Sequence, residues 1–369
     1  MSGNGSAPIT RANRQIDARG SSLIERVHVS RGTGRMVVLL VLTFTLFAIL
    51  RPGIFLNPLN LQTIGVAAPE IGILALAMML AMLTGGIDLS LPAVASGAAI
   101  VMSTLYASIA ASSGEAAAHA MGPVIMLVGL LTGLACGAIN GFLISVVGIT
   151  PILTTLGTMQ LFNGLAIVAT DGVTISGAPA AMTSMARATV AGIPVLFLLL
   201  IVVAILVAVL INATALGRKI QLQGANPTAS RYSGISSRST LMSVYLVSGL
   251  LGGVAGIIFL GRHGTANADY GASYVLLVIV IAVLGGTNPN GGFATVTGVV
   301  LATLTLQVVS SGFTALRLSA YEYAIAQGAI LIVVMVLDQI RFRRRRAAAP
   351  PASETVAIAT QRKKDGTRP

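Results

Sequence analysis

Charge-free apolar runs recur along most of the chain, and they constrain its fold more than any other feature. Met36 to Leu50, Val195 to Leu210 and Val275 to Leu284 are examples. A helix needs about 20 apolar residues to cross the roughly 30 Å hydrocarbon core of a bilayer. With 55% hydrophobic and 9% charged residues over 369 positions, and a mean hydropathy of +0.88, the chain is more apolar than a soluble core requires. Runs bounded by Gly, Pro and polar clusters place spans near 36–51, 59–83, 88–110, 121–147, 150–169, 192–212, 238–262, 272–288, 292–313 and 321–340. The expected fold is an all-α, polytopic transmembrane bundle of about ten helices, or eight with re-entrant segments.

Charge sets the orientation. The formal net charge of +12 is confined almost wholly to residues 1–35, the last 29 residues and the polar segment 213–240. Under the positive-inside rule all three are cytoplasmic, which leaves Arg51, Arg187, Arg262 and Arg317 on the outer side. The basic residues therefore mark membrane topology and imply no nucleic-acid partner. Residues 1–33 and 342–369, rich in Gly, Ser, Ala, Pro and charge, read as disordered basic cytoplasmic tails flanking a membrane domain at 34–341. No small-residue cleavage site follows the N-terminal tail, so the first span reads as uncleaved.

Enzyme chemistry has little to work with. No GxxxxGK[ST] loop is present, and TGGIDLS and GGTNPNGG lack the lysine and hydroxyl that hold phosphates and magnesium. His28, His119, His263 and the single Cys136 are dispersed, so no metal or other cofactor is expected.

The long polar interruption, Ala213 to Thr240, carries four basic residues and no acid. Within it Asn226 suits an N-cap, Pro227 a first helical position and Gly234 a left-handed C-cap, which predicts a two-turn helix. Ala229 and Tyr232 share one face of that helix, while Ser230 and Arg231 point elsewhere. So short a helix is stabilised either by docking to another protein or by tucking against the bundle.

Polar groups inside the spans are the remaining candidates. Glu70 follows Pro69 in the second span and must face protein or water, because a carboxylate facing lipid costs about 2.5–3.5 kcal/mol. Glu322 is a second such acid; Asn140, Gln160, Asn163, Gln307 and Gln327 could offer hydrogen bonds to a polar solute or to neighbouring helices. Asp88 suits a helix start or a gating contact. Gly129, Gly133, Gly137 and Gly141 form one face open to close backbone approach. Residues 82–99 and 283–300 are weakly similar, each an apolar end, a Gly-Gly turn and a small-residue helix. The absence of Trp and the 5% aromatic content argue against a tight stacking site for a sugar ring.

Four motifs in order resemble the ribose-type (monosaccharide) ABC transporter permeases of the branched-chain amino acid/ribose permease superfamily: TGGIDLS at 84–90, GAINGFLISVVGITPILTTLGTM at 137–159, GRKIQLQGANPTASRYSGI at 217–235 and VLGGTNPNGGFATVTG at 283–298. The resemblance implies a translocating subunit in a bacterial cytoplasmic (inner) membrane. It implies a second permease chain, identical or not, cytoplasmic ATP-binding subunits and a periplasmic or extracellular solute-binding protein as partners. By position, Arg218, Gly224, Asn226, Pro227, Ala229, Arg231, Ser233, Gly234 and Ile235 would couple to the ATPase. Gly85, Gly86, Asp88, Ser90, Gly285 and Gly286 would belong to the signature turns, and Glu70, Asn140, Gln160, Asn163 and Gln307 are the candidates for the substrate path. The expected solute is a monosaccharide or related polar molecule; alternatives are a nucleoside or branched-chain amino acid, or a proton-coupled carrier that uses Glu70 or Glu322. The chain departs from the family pattern at Ser230, at Pro92, and at Val275 and Leu277, where acids are usual.

Overall fold

The computed structural model of the chain describes residues 31–319, 321–329 and 332. Of the expected tails at 1–33 and 342–369, residues 1–30 and 342–369 lie outside the described residues, as does half of the tenth span at 321–340; residues 31–33 are helical. The helices are α1 (Arg31–Leu50), α2 (Pro52–Phe55), α3 (Pro58–Leu83), α4 (Leu91–Ser113), α5 (Glu115–Ala120), α6 (Gly122–Phe142), α7 (Pro151–Thr170), α8 (Ala180–Arg187) and α9 (Val195–Ala213). They continue with α10 (Ala215–Ala225), α11 (Pro227–Tyr232), α12 (Ser237–His263), α13 (Tyr274–Leu284) and α14 (Val296–Ala315). Among the described residues eight helices are long and apolar enough to cross a membrane, so the chain is a polytopic helical bundle.

Side-chain caps start α3, α10, α11 and α12. Asn57 accepts from the Leu59 amide at 2.9 Å ahead of Pro58, and Thr214 accepts from the Gly217 amide at 3.1 Å. Two antiparallel pairs of two-residue strands add to the helices: β1 (Ile175–Ser176) with β4 (Thr265–Ala266), and β2 (Thr189–Val190) with β3 (Ile193–Pro194). The expected span at 272–288 is only the 11-residue α13, about 16 Å long and roughly half of what a crossing needs. A 3-10 turn, Asp269–Ser273, precedes it, and Gly271 packs against Pro92 and Ser96 in the first turns of α4. The chain thus leaves the end of α12 and folds back into the bundle before α13 begins.

Two helices form the centre. Most of α3 from Ala67 to Leu83 is buried, and so is most of α12 from Ser248 to Gly261. Around them α1, α7 and α9 turn Val38, Leu42, Leu165, Val168, Ile205 and Leu206 outward, an arrangement that suits a lipid solvent. The glycine face of α6 meets α12. A Cβ on Gly133 would lie 2.6 Å from the Gly253 amide nitrogen, and one on Gly253 would lie 2.9 Å from the Gly129 carbonyl oxygen. Backbone therefore packs directly on backbone, which is how helices associate where no hydrophobic force separates them from lipid tails.

The described residues from Arg317 onward belong to a separate unit. There Glu322 accepts from the Ser319 amide at 2.6 Å and the Ser319 hydroxyl at 2.9 Å, while its own amide reaches the Ser319 hydroxyl at 3.3 Å. This reciprocal capping box starts a helix and leaves Glu322 exposed.

Gly133→Ala should destabilise the detergent-solubilised protein by about 1–3 kcal/mol, read as a lowered unfolding midpoint. Gly97→Ala, where nothing lies within 4 Å of the added carbon, should leave the midpoint unchanged or slightly raised.

Candidate functional site

The polar segment folds into two short helices. α10 buries Gly217, Ile220, Gln223 and Gly224 and exposes Arg218 and Lys219. This helix goes unrecognised in the sequence reading; Thr214 as a cap is the one local signal of it. Asn226 ends α10 and caps α11: its Oδ1 accepts from the Ala229 amide at 3.0 Å, with Pro227 in the first turn. The Ser233 hydroxyl donates to the Ala229 carbonyl at 3.0 Å. Gly234, at φ +77°, closes the helix, and the Ile235 amide reaches back to the Ser230 carbonyl at 3.1 Å.

The faces of α11 separate cleanly. Ser230 is buried at 4% exposure, whereas Ala229 and Arg231 are exposed and Tyr232 is 90% exposed. An aromatic ring that far out of its own fold is available to another protein.

Three of the motif segments meet beneath this helix. The Gly292 amide donates to the Leu83 carbonyl at 2.9 Å, and Gly224 is wedged against both of those backbone groups. A Cβ on Gly291 would sit 2.8 Å from the Gly224 carbonyl oxygen and 2.9 Å from the Gly85 nitrogen. The two Gly-Gly turns have the same cap. Gly85 and Gly286 take φ +84° and +91°, and the next residues, Gly86 and Thr287, donate back to Ala81 and Ala282 at 3.2 and 3.0 Å. Asn288 ties its own loop, donating to the Phe293 and Gly291 carbonyls at 2.9 Å, and the Thr295 hydroxyl holds the Gly285 carbonyl at 2.8 Å.

A one-way chain of hydrogen bonds locks the first turn to α6 and α7. Thr158 donates to Asn140 Oδ1 (2.6 Å), Asn140 Nδ2 donates to Ser90 Oγ (2.7 Å), and that hydroxyl donates to Asp88 Oδ1 (2.6 Å), which also accepts the Ser90 amide at 3.0 Å. Thr155 braces the same turn, donating to the Ile87 carbonyl at 3.0 Å and accepting the Leu89 amide at 3.1 Å. Burial pushes the Asp88 carboxyl up to about 6, with the Ser90 hydroxyl and amide pulling the other way. Ser90 occupies the N-cap position of α4, and Asp88 acts two residues earlier as the terminal acceptor.

The remaining candidates are spread out. Asn140 is buried and its amide is committed to the Asp88 chain. Gln160 is exposed on α7, Asn163 is half-buried with an unpartnered Oδ1, and Gln307 is half-buried on α14. Glu70, fully buried halfway along α3, pairs with Arg262 at the end of α12, a partner the sequence reading leaves unnamed. Among the described residues no hydrogen bond joins Glu70, Asn140, Gln160, Asn163 and Gln307 to one another. A groove of about 460 Å³ beside the N-terminal half of α3 is lined by Pro58, Leu61, Ile64, Pro194 and Phe197, with Gln62 its polar side chain, and so has little to offer a polyhydroxylated solute.

Residues 60–335 match the family described as branched-chain amino acid transport system, permease component. The autoinducer 2 import system permease protein LsrD of Yersinia enterocolitica is 33% identical over 280 residues, covering 74% of this chain and 82% of its own. The same-named protein of Yersinia pseudotuberculosis is 32% identical, covering 74% and 81%. The D-allose transport system permease protein AlsC of Escherichia coli is 30% identical over 302 residues, covering 82% and 90%. No solved structure matches significantly.

Asp88→Asn keeps an oxygen for both Ser90 donors, whereas Asp88→Ala strands a buried hydroxyl. The alanine variant should therefore be about 1–3 kcal/mol the less stable of the two in thermal unfolding of the purified protein. Gly224→Ala drives a methyl group into the Leu83 carbonyl and Gly292 amide. It should expose the 213–240 segment to limited proteolysis while leaving membrane insertion intact.

Proposed function

We propose that this chain, which belongs to the branched-chain amino acid transport permease family, is the membrane-spanning subunit of an ABC importer for a monosaccharide or related polar solute. The subunit translocates and does not itself catalyse; ATP hydrolysis resides on a separate chain. The likeness to a D-allose transport system permease supports the sugar class. The TGGIDLS wording, shared with ribose-type permeases, supports it too. In this reading the bundle sits in a bacterial cytoplasmic membrane with both termini and residues 213–240 inside. A solute-binding protein delivers from the outer side, and a second permease chain completes the pathway.

The observation that carries the reading is α11 itself. It is a capped, exposed helix with Tyr232 projecting outward, and it is anchored through Gly224 to the ends of two membrane elements. Closure of the ATPase pair would push on Ala229, Arg231 and Tyr232. The backbone contact at Gly224 would carry that push to α3 and to the loop between α13 and α14, and the Ser237 to Gln223 hydrogen bond (3.0 Å) would carry it to the start of α12. Glu322 is occupied as a capping residue, which removes one of the two acids a proton-coupled carrier would use.

The test is ATP-driven uptake in proteoliposomes holding the permease, its ATPase and loaded binding protein. Tyr232→Ala should slow uptake about tenfold or more, as loss of an aromatic anchor does. Ser230→Ala, on the buried face and matching the family's usual residue, should leave it near the parental rate. Asn226→Asp combined with Gly234→Leu should uncouple hydrolysis from uptake; full uptake by that pair and by Tyr232→Ala would remove this segment from the mechanism.

A further inference from the structure

We propose that Glu70, Arg262, His263, Tyr270 and Tyr274 form a transit site for a neutral monosaccharide halfway across the bundle; this rests on the importer reading above. The location is the first argument. Glu70 lies at the middle of the 26-residue α3, and the backbone that follows its partners Arg262 and His263 leaves the α-helical path: a two-residue strand and a 3-10 turn carry residues 264–273 back from the end of α12 to the start of the half-length α13. Gly271 reaches Pro92 and Ser96, about 25 Å short of the far end of α4. Irregular backbone at that depth is tolerated only where it is buried in protein or lines a watery cavity, and broken helices near the midplane are where transporters hold their solutes.

The second argument is chemistry. Arg262 pairs with Glu70 Oε2, His263 Nε2 stands 3.6 Å from the same oxygen, and Tyr274 faces the same carboxylate. Glu70 Oε1, fully buried, has no hydrogen-bond partner. A buried carboxylate oxygen left open in this way accepts a hydroxyl donor at little cost, and the arginine keeps further N–H groups to offer a hydroxyl oxygen. Aromatic surface surrounds the pair: His263 stacks on Tyr270 with centroids 5.2 Å apart, and Phe259 meets Tyr270 edge-on at 4.7 Å. Ring faces beside paired hydrogen-bonding groups fit a sugar, whose C–H faces pack on π systems while its hydroxyls take the polar partners. A zwitterionic amino acid would have to split the ion pair to use both charges, whereas a sugar needs only the free oxygen. The arginine neutralises the acid, so the site holds its solute weakly enough to release it.

The chain contains no tryptophan. Tyr270→Trp in the full-length protein in lipid nanodiscs therefore places the sole indole in the cluster. D-Allose and D-ribose are titrated with L-leucine as control, while the assembled importer with the same substitution is assayed for uptake of all three. The expected result is a saturable change in indole emission with a sugar that the importer carries and none with leucine. Adding Tyr274→Leu should weaken the response about tenfold relative to Tyr274→Phe. If Tyr270→Trp fails to fold, Phe259→Trp serves as the reporter. Sugar uptake with no emission response overturns the transit site and leaves the sugar importer standing. Uptake of neither sugar, with or without leucine, overturns the functional reading and this assignment together.

Discussion

The contact among Leu83, Gly224 and Gly292 is the one on which the rest of the arrangement depends, because it joins three distant stretches of chain by backbone alone. Side chains can rotate away from one another under load. A peptide group seated against two others has no rotamer to escape into and moves only with the backbone that carries it, so a load on one is passed to the others. Glycine at 224 and 291 is therefore required by the approach of backbone to backbone, and the positive φ at Gly85, Gly286, Gly291 and Gly292 is required by the turns that bring those backbones there. A displacement of α10 is in this way a displacement of the end of α3.

The same logic explains why α3 and α12 occupy the centre. α3 is held at the Leu83 end by Gly224, and α12 begins at Ser237, bonded to Gln223 of α10. Halfway along α3 the two helices are joined again, by Glu70 and Arg262. α6 and its glycine face hold α12 from the side, and the Thr158–Asn140–Ser90–Asp88 chain fastens α6 and α7 to the turn after α3. Relative motion of the two central helices is thus constrained at two points about half a helix apart, one at the polar segment and one at a buried ion pair. A rigid lever of that construction converts a push at one end into opening or closure at the other, which is what a bistable transporter requires.

Much of this was legible in residues. Apolar run lengths placed the eight crossing helices to within a few positions, because composition in lipid is almost a direct record of depth. The caps of α11 were legible because Asn226, Pro227 and Gly234 each do one local job that no neighbour can override. The half-length α13 was not, since Val275 to Leu284 is as apolar as any full span and only the tertiary position of Gly271 reveals that it starts inside the bundle. Nor was α10 visible, because its buried face is built from two glycines, a glutamine and one isoleucine, and that pattern has no hydrophobic signal to find. The partner of Glu70 was hidden for a different reason: Arg262 lies 192 residues away, and pairing across that distance is written in packing, not in spacing. A whole-chain aromatic content of 5% likewise gives no warning that Phe259, His263, Tyr270 and Tyr274 gather in one place.

The departures at Val275 and Leu277 acquire a physical meaning from this geometry. Leu277 is 4% exposed on a helix that begins at mid-depth, so a carboxylate there would need a partner of its own or would carry the desolvation cost of a buried charge. No basic residue of α13 or α14 is available to supply one, as both helices are free of Lys and Arg. With apolar side chains at these positions α13 packs without that cost, and Glu70 is left as the buried acid at this level of the bundle. If the proposed transit site is the pathway, its one internally neutralised acid and few aromatic faces suit an uncharged, hydroxyl-bearing solute better than a cation. Of the solutes that the superfamily admits, the loss of those two acids therefore weighs toward a neutral one.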